Sequence, residues 1–165
     1  MEIKRVDHYS IRTNDLESSR RFYTQVIGLN EGPRPPFDFP GYWLYTGEPP
    51  KDLQTGGGRN YGLVHLMGYD KDKPGSLDAY VGDRKDSASG GTGSLDHVAF
   101  AATGRAAMLD RCRRNNVNFF ERAVPMLGLR QVFVKDPDGV TIELNFPASE
   151  VAEGQETESF SGAAR

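Results

Sequence analysis

Asp136-Pro137-Asp138-Gly139-Val140-Thr141-Ile142-Glu143-Leu144 reads as a tight turn running into a strand with an acid at its centre. Proline fixes φ and glycine tolerates positive φ, so Asp136 to Gly139 predicts a hairpin turn. On its upstream side, Leu129, Gln131 and Phe133 alternate with Arg130, Val132 and Val134 from Leu129 to Lys135, the period of a strand. On its downstream side, Val140 to Phe146 forms the closing strand. Glu143 sits there between Ile142 and Leu144, and an uncompensated carboxylate is costly to bury. It either faces solvent on a half-exposed strand or is held by a partner that needs its charge.

Working outward, the same pattern recurs. Gly62-Leu63-Val64-His65-Leu66 resembles Val140 to Leu144, with His65 in the place of Glu143. Val6-Asp7-His8-Tyr9-Ser10-Ile11 and Leu95-Asp96-His97-Val98-Ala99-Phe100 share the frame apolar-Asp-His-x-x-apolar. These contexts contain all three histidines of the chain. Each half therefore opens on a strand bearing His and closes on a strand bearing His or Glu.

Between those strands the first half carries a helix. Thr13-Asn14-Asp15 offers N-cap chemistry with Glu17 in the first turn. Leu16, Phe22, Tyr23, Val26 and Ile27 recur at helical spacing, and Gly28 is the stop. A Pro- and aromatic-rich loop (Gly32 to Gly41), a short aromatic strand (Tyr42 to Tyr45), a polar loop (Gly47 to Asn60) and the His65 strand (Tyr61 to Met67) complete it. The second half repeats the order: the His97 strand to Ala101, a helix from Thr103 to Asn115, a short strand from Asn118 to Arg122, then the hairpin. The predicted organisation is a first module over 3–67, a linker or lid over 68–94, a second module over 95–146 and a disordered tail over 147–165.

The chain has 165 residues, enough for one domain or two small repeats around one core. Its mean hydropathy of −0.58 is polar, but the polar excess concentrates in the loops and the tail. A net charge of −3 with scattered Lys and Arg points away from nucleic acid. No apolar run approaches a membrane span, and the N-terminus lacks the apolar core of a signal peptide, so the expectation is no membrane association and a cytoplasmic home. The lone Cys112 cannot form an intramolecular disulfide and reads as a buried helix thiol.

Neutral imidazole and carboxylate together suit one divalent metal ion of the Fe, Mn, Ni or Zn type, whereas Ca prefers all-oxygen shells. Any one of these histidines alone is better read as an ordinary core or surface imidazole. Their shared placement on repeat-equivalent strands, with Glu143 as the fourth, favours a metal site built from His8, His65, His97 and Glu143.

The combination of Asp7-His8, Phe22-Tyr23 with Ile27-Gly28-Leu29, Leu95 to Phe100 and Asp136 to Leu144 resembles the vicinal oxygen chelate superfamily. That superfamily includes glyoxalase I, methylmalonyl-CoA epimerase, fosfomycin-resistance enzymes and extradiol dioxygenases. The resemblance spans about residues 3–146 and implies an α+β fold of two tandem βαβββ modules, forming an open half-barrel around the metal. It implies ligands from the first and fourth strand of each module, which here are His8, His65, His97 and Glu143. His65 departs from the Glu or Gln usual there in glyoxalase I and the epimerase. It would be a fourth ligand, or an acid–base group beside a triad of the other three.

By the same resemblance the protein is expected to be a glyoxalase-like lyase or isomerase acting on a small oxygen-chelating substrate, with Glu143 as catalytic base. The alternatives are an extradiol-type Fe(II) dioxygenase and a non-catalytic, antibiotic-binding protein. Arg12, Tyr42, Trp43, Arg122, Arg130 and Gln131 are candidate substrate contacts. Domain swapping within the superfamily implies a homodimer.

Overall fold

The computed structural model describes residues 8–53, 62–81, 97–151 and 156–162. The chain divides into two compact units between Ser89 and Gly90. Each is built on one mixed sheet.

In the first unit, β1 (Tyr9–Thr13) leads into α1 (Leu16–Arg21), which widens into a π-helical turn over Phe22–Ile27. Asp15 is the cap: its carboxylate accepts from the Ser18 amide at 3.0 Å and the Ser18 hydroxyl at 2.8 Å. Gly28 ends the helix in the left-handed region at φ 91°, where a side chain would be strained. Three strands follow, β2 (Asn30–Gly32), β3 (Gly41–Tyr45) and β4 (Val64–Gly68). The sheet order is β1-β4-β3-β2, with β1 parallel to β4 and the other pairs antiparallel. This is one βαβββ module. The sequence missed β2, a three-residue strand whose two leading residues, Asn30 and Glu31, are exposed and carry no apolar alternation.

Registry assigns the two faces of this sheet. Ile11, Thr13, Leu44, Val64 and Leu66 are all buried on the face that α1 covers. Thr13 and Ser19 join hydroxyls at 2.9 Å across that layer. Gly68 lies so close to Leu16 of α1 that an added Cβ would stand 3.0 Å from its Cδ2, which explains a glycine at the strand's end. Burying each such Leu or Val side chain stabilises the fold by about 1.5–3 kcal/mol. The opposite face carries His8, Ser10, Arg12, Trp43, His65 and Met67.

Within the stretch predicted as linker, α2 (Ser76–Val81) forms, with Leu77 almost fully buried and Asp78 paired to Arg12 at 3.2 Å. The Gly-Ser-rich remainder of that stretch lies outside the described residues, as do Asp7, Asp96 and the start of the predicted His65 strand.

The second unit runs β5 (Val98–Ala101), α3 (Arg105–Arg114), β6 (Phe119–Val124), β7 (Leu129–Lys135) and β8 (Thr141–Pro147), the βαβββ order again. The hairpin forms as predicted. Asp136 Oδ1 accepts from the amides of Asp138 and Val140 at 3.0 and 2.7 Å, and Gly139 takes φ 85°. Met108, Leu109 and Cys112 of α3 are buried, as is the face bearing Val132, Val134, Ile142, Leu144 and Phe146. Burial pushes the Cys112 thiol up to about 11, which makes it an inert packing group.

The tail corrects the sequence reading. Residues 147–165 were expected to be disordered, yet β9 (Ser159–Phe160) pairs antiparallel with β6, giving the sheet order β5-β8-β7-β6-β9. Phe160 stacks on Phe119 with ring centres 5.9 Å apart, and an ionic cluster adds to that contact. Arg105 and Glu121 form a buried bidentate pair at 2.5 and 2.7 Å, and Glu158 joins it through Arg105 at 3.2 Å, through Arg113, and through its own amide to Glu121 at 2.7 Å. An acidic, Ser/Gly-rich segment gives no periodic hydrophobic signal of such docking.

Candidate functional site

Each unit brings its two predicted site residues together. In the first, β4 pairs Ser10 with His65, and Trp43 of β3 stands directly across from His65. His8, two residues before Ser10, falls on that same face. The result is a stack of three rings: His8 to His65 at 4.1 Å with planes 19° apart, and His65 to Trp43 at 4.1 Å and 7°. His65 is buried at the middle of the stack and His8 is exposed at its end.

In the second unit, β5 pairs Ala99 with Glu143, and His97 lies two residues earlier on the same face. His97 Nε2 is 3.4 Å from Glu143 Oε2. Glu143 is 7% exposed, so the polar groups around it decide its orientation. Gln131 Nε2 and Asn145 Nδ2 donate to Oε1 at 2.8 and 2.7 Å, and Gln131 Nε2 also donates to Asn145 Oδ1 at 3.0 Å. The carboxylate is therefore asymmetric: one oxygen is tied by two amides, the other is turned to the imidazole. Asn145 was not among the residues singled out from the sequence. Its signal was available, because it lies two residues beyond Glu143 on the same strand face.

Around this pair, Phe133 stands edge-on to His97 at 6.4 Å and stacks on Phe120 at 4.7 Å. Arg122 lies over the Phe133 ring at 5.1 Å and, among the described residues, has no carboxylate partner. Registry puts Arg122, Gln131 and Asn145 in one row across β6, β7 and β8. Arg122 and Gln131 thus share the Glu143 face. Two other candidates do not. Tyr42 points to the helix layer and donates to Glu17 at 2.7 Å. Arg130 is buried on the α3 side of its sheet, in the row of Phe146 and Ala123 and on the face that carries Glu121. A period-two strand puts alternate residues on opposite faces, and both fall on the wrong parity. Arg12 and Trp43 share the His65 face, Arg12 being held by Asp78.

Among the described residues, no three His, Cys, Asp or Glu side chains stand together as a ready-made metal group. Two donors bound about 2.1 Å from one tetrahedral ion stand about 3.4 Å apart, the separation of His97 Nε2 and Glu143 Oε2. Two imidazoles radiating from one ion keep their ring centres roughly 4.5–5 Å apart, so the 4.1 Å His8–His65 stack must open by about half an ångström to share one. The donor chemistry, nitrogen plus carboxylate oxygen, fits a divalent ion of the Zn, Fe, Mn or Ni kind.

Comparison with known proteins defines the class. The model of the Glyoxalase/Bleomycin resistance protein/Dioxygenase superfamily matches residues 5–144, and the chain belongs to that superfamily. Its relatives include the lactoylglutathione lyases of Escherichia coli O157:H7 (30% identical, covering 85% of this chain and 90% of that protein) and Salmonella typhimurium (29%, with the same coverage). Among solved structures, a glyoxalase family protein from Bacillus anthracis superposes with TM-score 0.57 at 19% identity, covering 89% of this chain and 98% of that one. A fosfomycin resistance protein from Listeria monocytogenes gives 0.54 at 15%, covering 90% and 98%. These structures share the two-module α+β fold. No helix among the described residues is long and apolar enough to cross a membrane.

Proposed function

We propose that the protein is a divalent-metal-dependent lyase or isomerase of the glyoxalase type, acting on a small substrate that presents two adjacent oxygens. His8, His65, His97 and Glu143 hold the ion and Glu143 is the catalytic base. The observation that carries this reading is the asymmetric clamp on Glu143. With Oε1 tied to Gln131 and Asn145, Oε2 is the oxygen that faces His97: it would hold the ion beside His97 and, on leaving the ion, would take the proton. The similarity to lactoylglutathione lyases supports the reaction class.

The bound ion supplies Lewis-acid stabilisation of negative charge on the two substrate oxygens. The protein's own groups do the rest. Glu143 Oε2 removes the proton from the hydroxyl-bearing carbon beside a carbonyl and returns it to the former carbonyl carbon, while the hydroxyl proton passes from the first oxygen to the second, so atoms and charge balance within one isomerisation. The two amides keep the carboxylate from rotating between those events. Arg122, with no carboxylate of its own among the described residues, binds an anionic group on the same sheet face. In this reading the enzyme works in the cytoplasm as a homodimer.

Metal analysis of the purified protein, with an assay of hemithioacetals of 2-oxoaldehydes, tests the proposal. One ion per chain is expected, lost in His97→Ala, together with thioester formation that falls at least ~10³-fold in Glu143→Gln, the scale of losing a general base and ligand together. Protein that takes up no divalent ion, or a Glu143→Gln variant with undiminished turnover, would overturn it. A second reading rests on the His8–His65 ring spacing, which is about half an ångström tighter than shared coordination needs. In it His65 is an acid–base group beside an Fe(II) triad, and the substrates are catechols. Retention of metal in His65→Ala but not in His8→Ala, with a yellow ring-cleavage product from catechols, would favour it over the first.

A further inference from the structure

The first unit has a run of aromatic rings that the proton transfer leaves unused. Trp43, the chain's only tryptophan, lies flat against His65 at 4.1 Å. Its ring centre is 6.3 Å from Phe37, which in turn lies 4.7 Å from Tyr80 and 5.2 Å from Phe39. The rings thus form a continuous path leading away from His65.

This path is fixed in place without being covered. Leu77 anchors α2, and with it Tyr80, while the Arg12–Asp78 pair ties α2 to β1. Arg34 lies over both Phe37 and Phe39 at 5.2 and 5.4 Å and donates to the Phe39 carbonyl at 2.9 Å. Yet Tyr80 is 59% exposed, and Phe37 and Trp43 are only half-buried. A large aromatic side chain presents about 150–250 Å², so with Phe37 and Trp43 mostly covered the exposed part of the three rings is roughly 200 Å². A stable protein interface needs about 800 Å² on each side. The patch is the size of one or two rings of a small molecule, and it begins at a proposed ligand.

We propose that Trp43, Phe37 and Tyr80, with Phe37 inclined 53° to Trp43 and 50° to Tyr80, form a stepped shelf against which a planar aryl group of the substrate packs face-on to one ring and edge-on to the next. The substrate is then an aryl-bearing molecule that chelates through two adjacent oxygens. The chelation half rests on the proposed function; the shelf is judged separately. Benzohydroxamate and acetohydroxamate offer the same two oxygens and differ by the ring.

With the full chain loaded with zinc, calorimetry should find benzohydroxamate bound about tenfold more tightly, with quenching of Trp43 fluorescence. Tyr80→Ala and Phe37→Ala should each cut that preference to about twofold, leaving acetohydroxamate binding unchanged, whereas Tyr80→Phe should keep it. Tyr80 is exposed enough that its substitution leaves the fold intact. Equal affinities in the wild type, or a preference that survives both alanine variants, would overturn the shelf. If zinc enhances neither hydroxamate, the metal reading fails instead. The shelf is then decided by benzamide against acetamide on metal-free protein: Trp43 quenching by benzamide alone, lost in Tyr80→Ala, supports it, and no quenching overturns it.

Discussion

At the residue scale, two carboxylates show how partners decide what a buried acid does. Glu121 is enclosed on the α3 side and answered by Arg105. Burial works against its charge, but the two Arg105 hydrogen bonds, the Glu158 amide and the nearby Arg105 and Arg130 charges outweigh it, and its pKa sits below the ordinary 4.5. A depressed folded-state pKa contributes stability that is present above the unfolded value and is lost as pH falls through the folded one. Urea midpoints should therefore hold steady above about pH 5 and fall below about 4.5, and Glu121→Gln should flatten part of that fall. At neutral pH, Glu121→Ala leaves buried Arg105 with only the Glu158 carboxylate at 3.2 Å and should cost about 3 kcal/mol by urea denaturation. Glu143 differs in having only neutral amides on one oxygen. Gln131→Ala should leave the fold intact and weaken zinc binding about 10–100-fold in competition with a chromophoric chelator, the usual effect of losing a group that orients a ligand. Unchanged affinity would remove Gln131 from that role.

At the element scale, helix ends and edge strands depend on residues distant in sequence. Gly104 precedes α3 with φ 82° and no side chain to cap it, so the cap comes from Glu150, whose carboxylate accepts from the Gly104 and Arg105 amides at 2.9 and 2.8 Å. Glu150→Ala should cost about 1 kcal/mol. Strand β9 covers the edge of β6, where Glu121 N donates to Glu158 O at 2.9 Å. Ending the chain after Val151 removes that strand and the Glu158 carboxylate together. A loss of about 1–2 kcal/mol is expected, read as a Tm lower by roughly 2–8 °C in calorimetry. A tail that contributes nothing would leave Tm unchanged. The sequence revealed α1, α3, β7 and the Asp136–Gly139 turn, because each carries a local signal: a cap, a 3.6-residue period, a two-residue period, a Pro-Asp-Gly turn. It missed β2, α2 and β9, which are too short to show a period of their own and are held by strand pairing, ion pairs and single apolar anchors such as Leu77 and Phe160.

At the scale of the whole molecule, two copies of one βαβββ plan each bring an opening-strand histidine to a closing-strand partner on one sheet face. If both pairs serve one ion, binding must stabilise the folded chain. Zinc at a hundredfold excess over its Kd should add about 2.7 kcal/mol, a Tm gain of about 5–10 °C, reversed by chelator and absent in His97→Ala. The sequence by itself determined the repeat, the two-module α+β class and the placing of His8, His65, His97 and Glu143 on the opening and closing strands. Strand parity is written in alternation; the parallel pairing of opening and closing strands, which brings His8 to His65 and His97 to Glu143 within each unit, belongs to the fold. Only the tertiary structure decided what surrounds them: the amides that orient Glu143, the sandwich around His65, the helix-side placement of Tyr42 and Arg130, and the docked tail. Those contacts join residues with no shared local pattern, so only the folded chain brings them together.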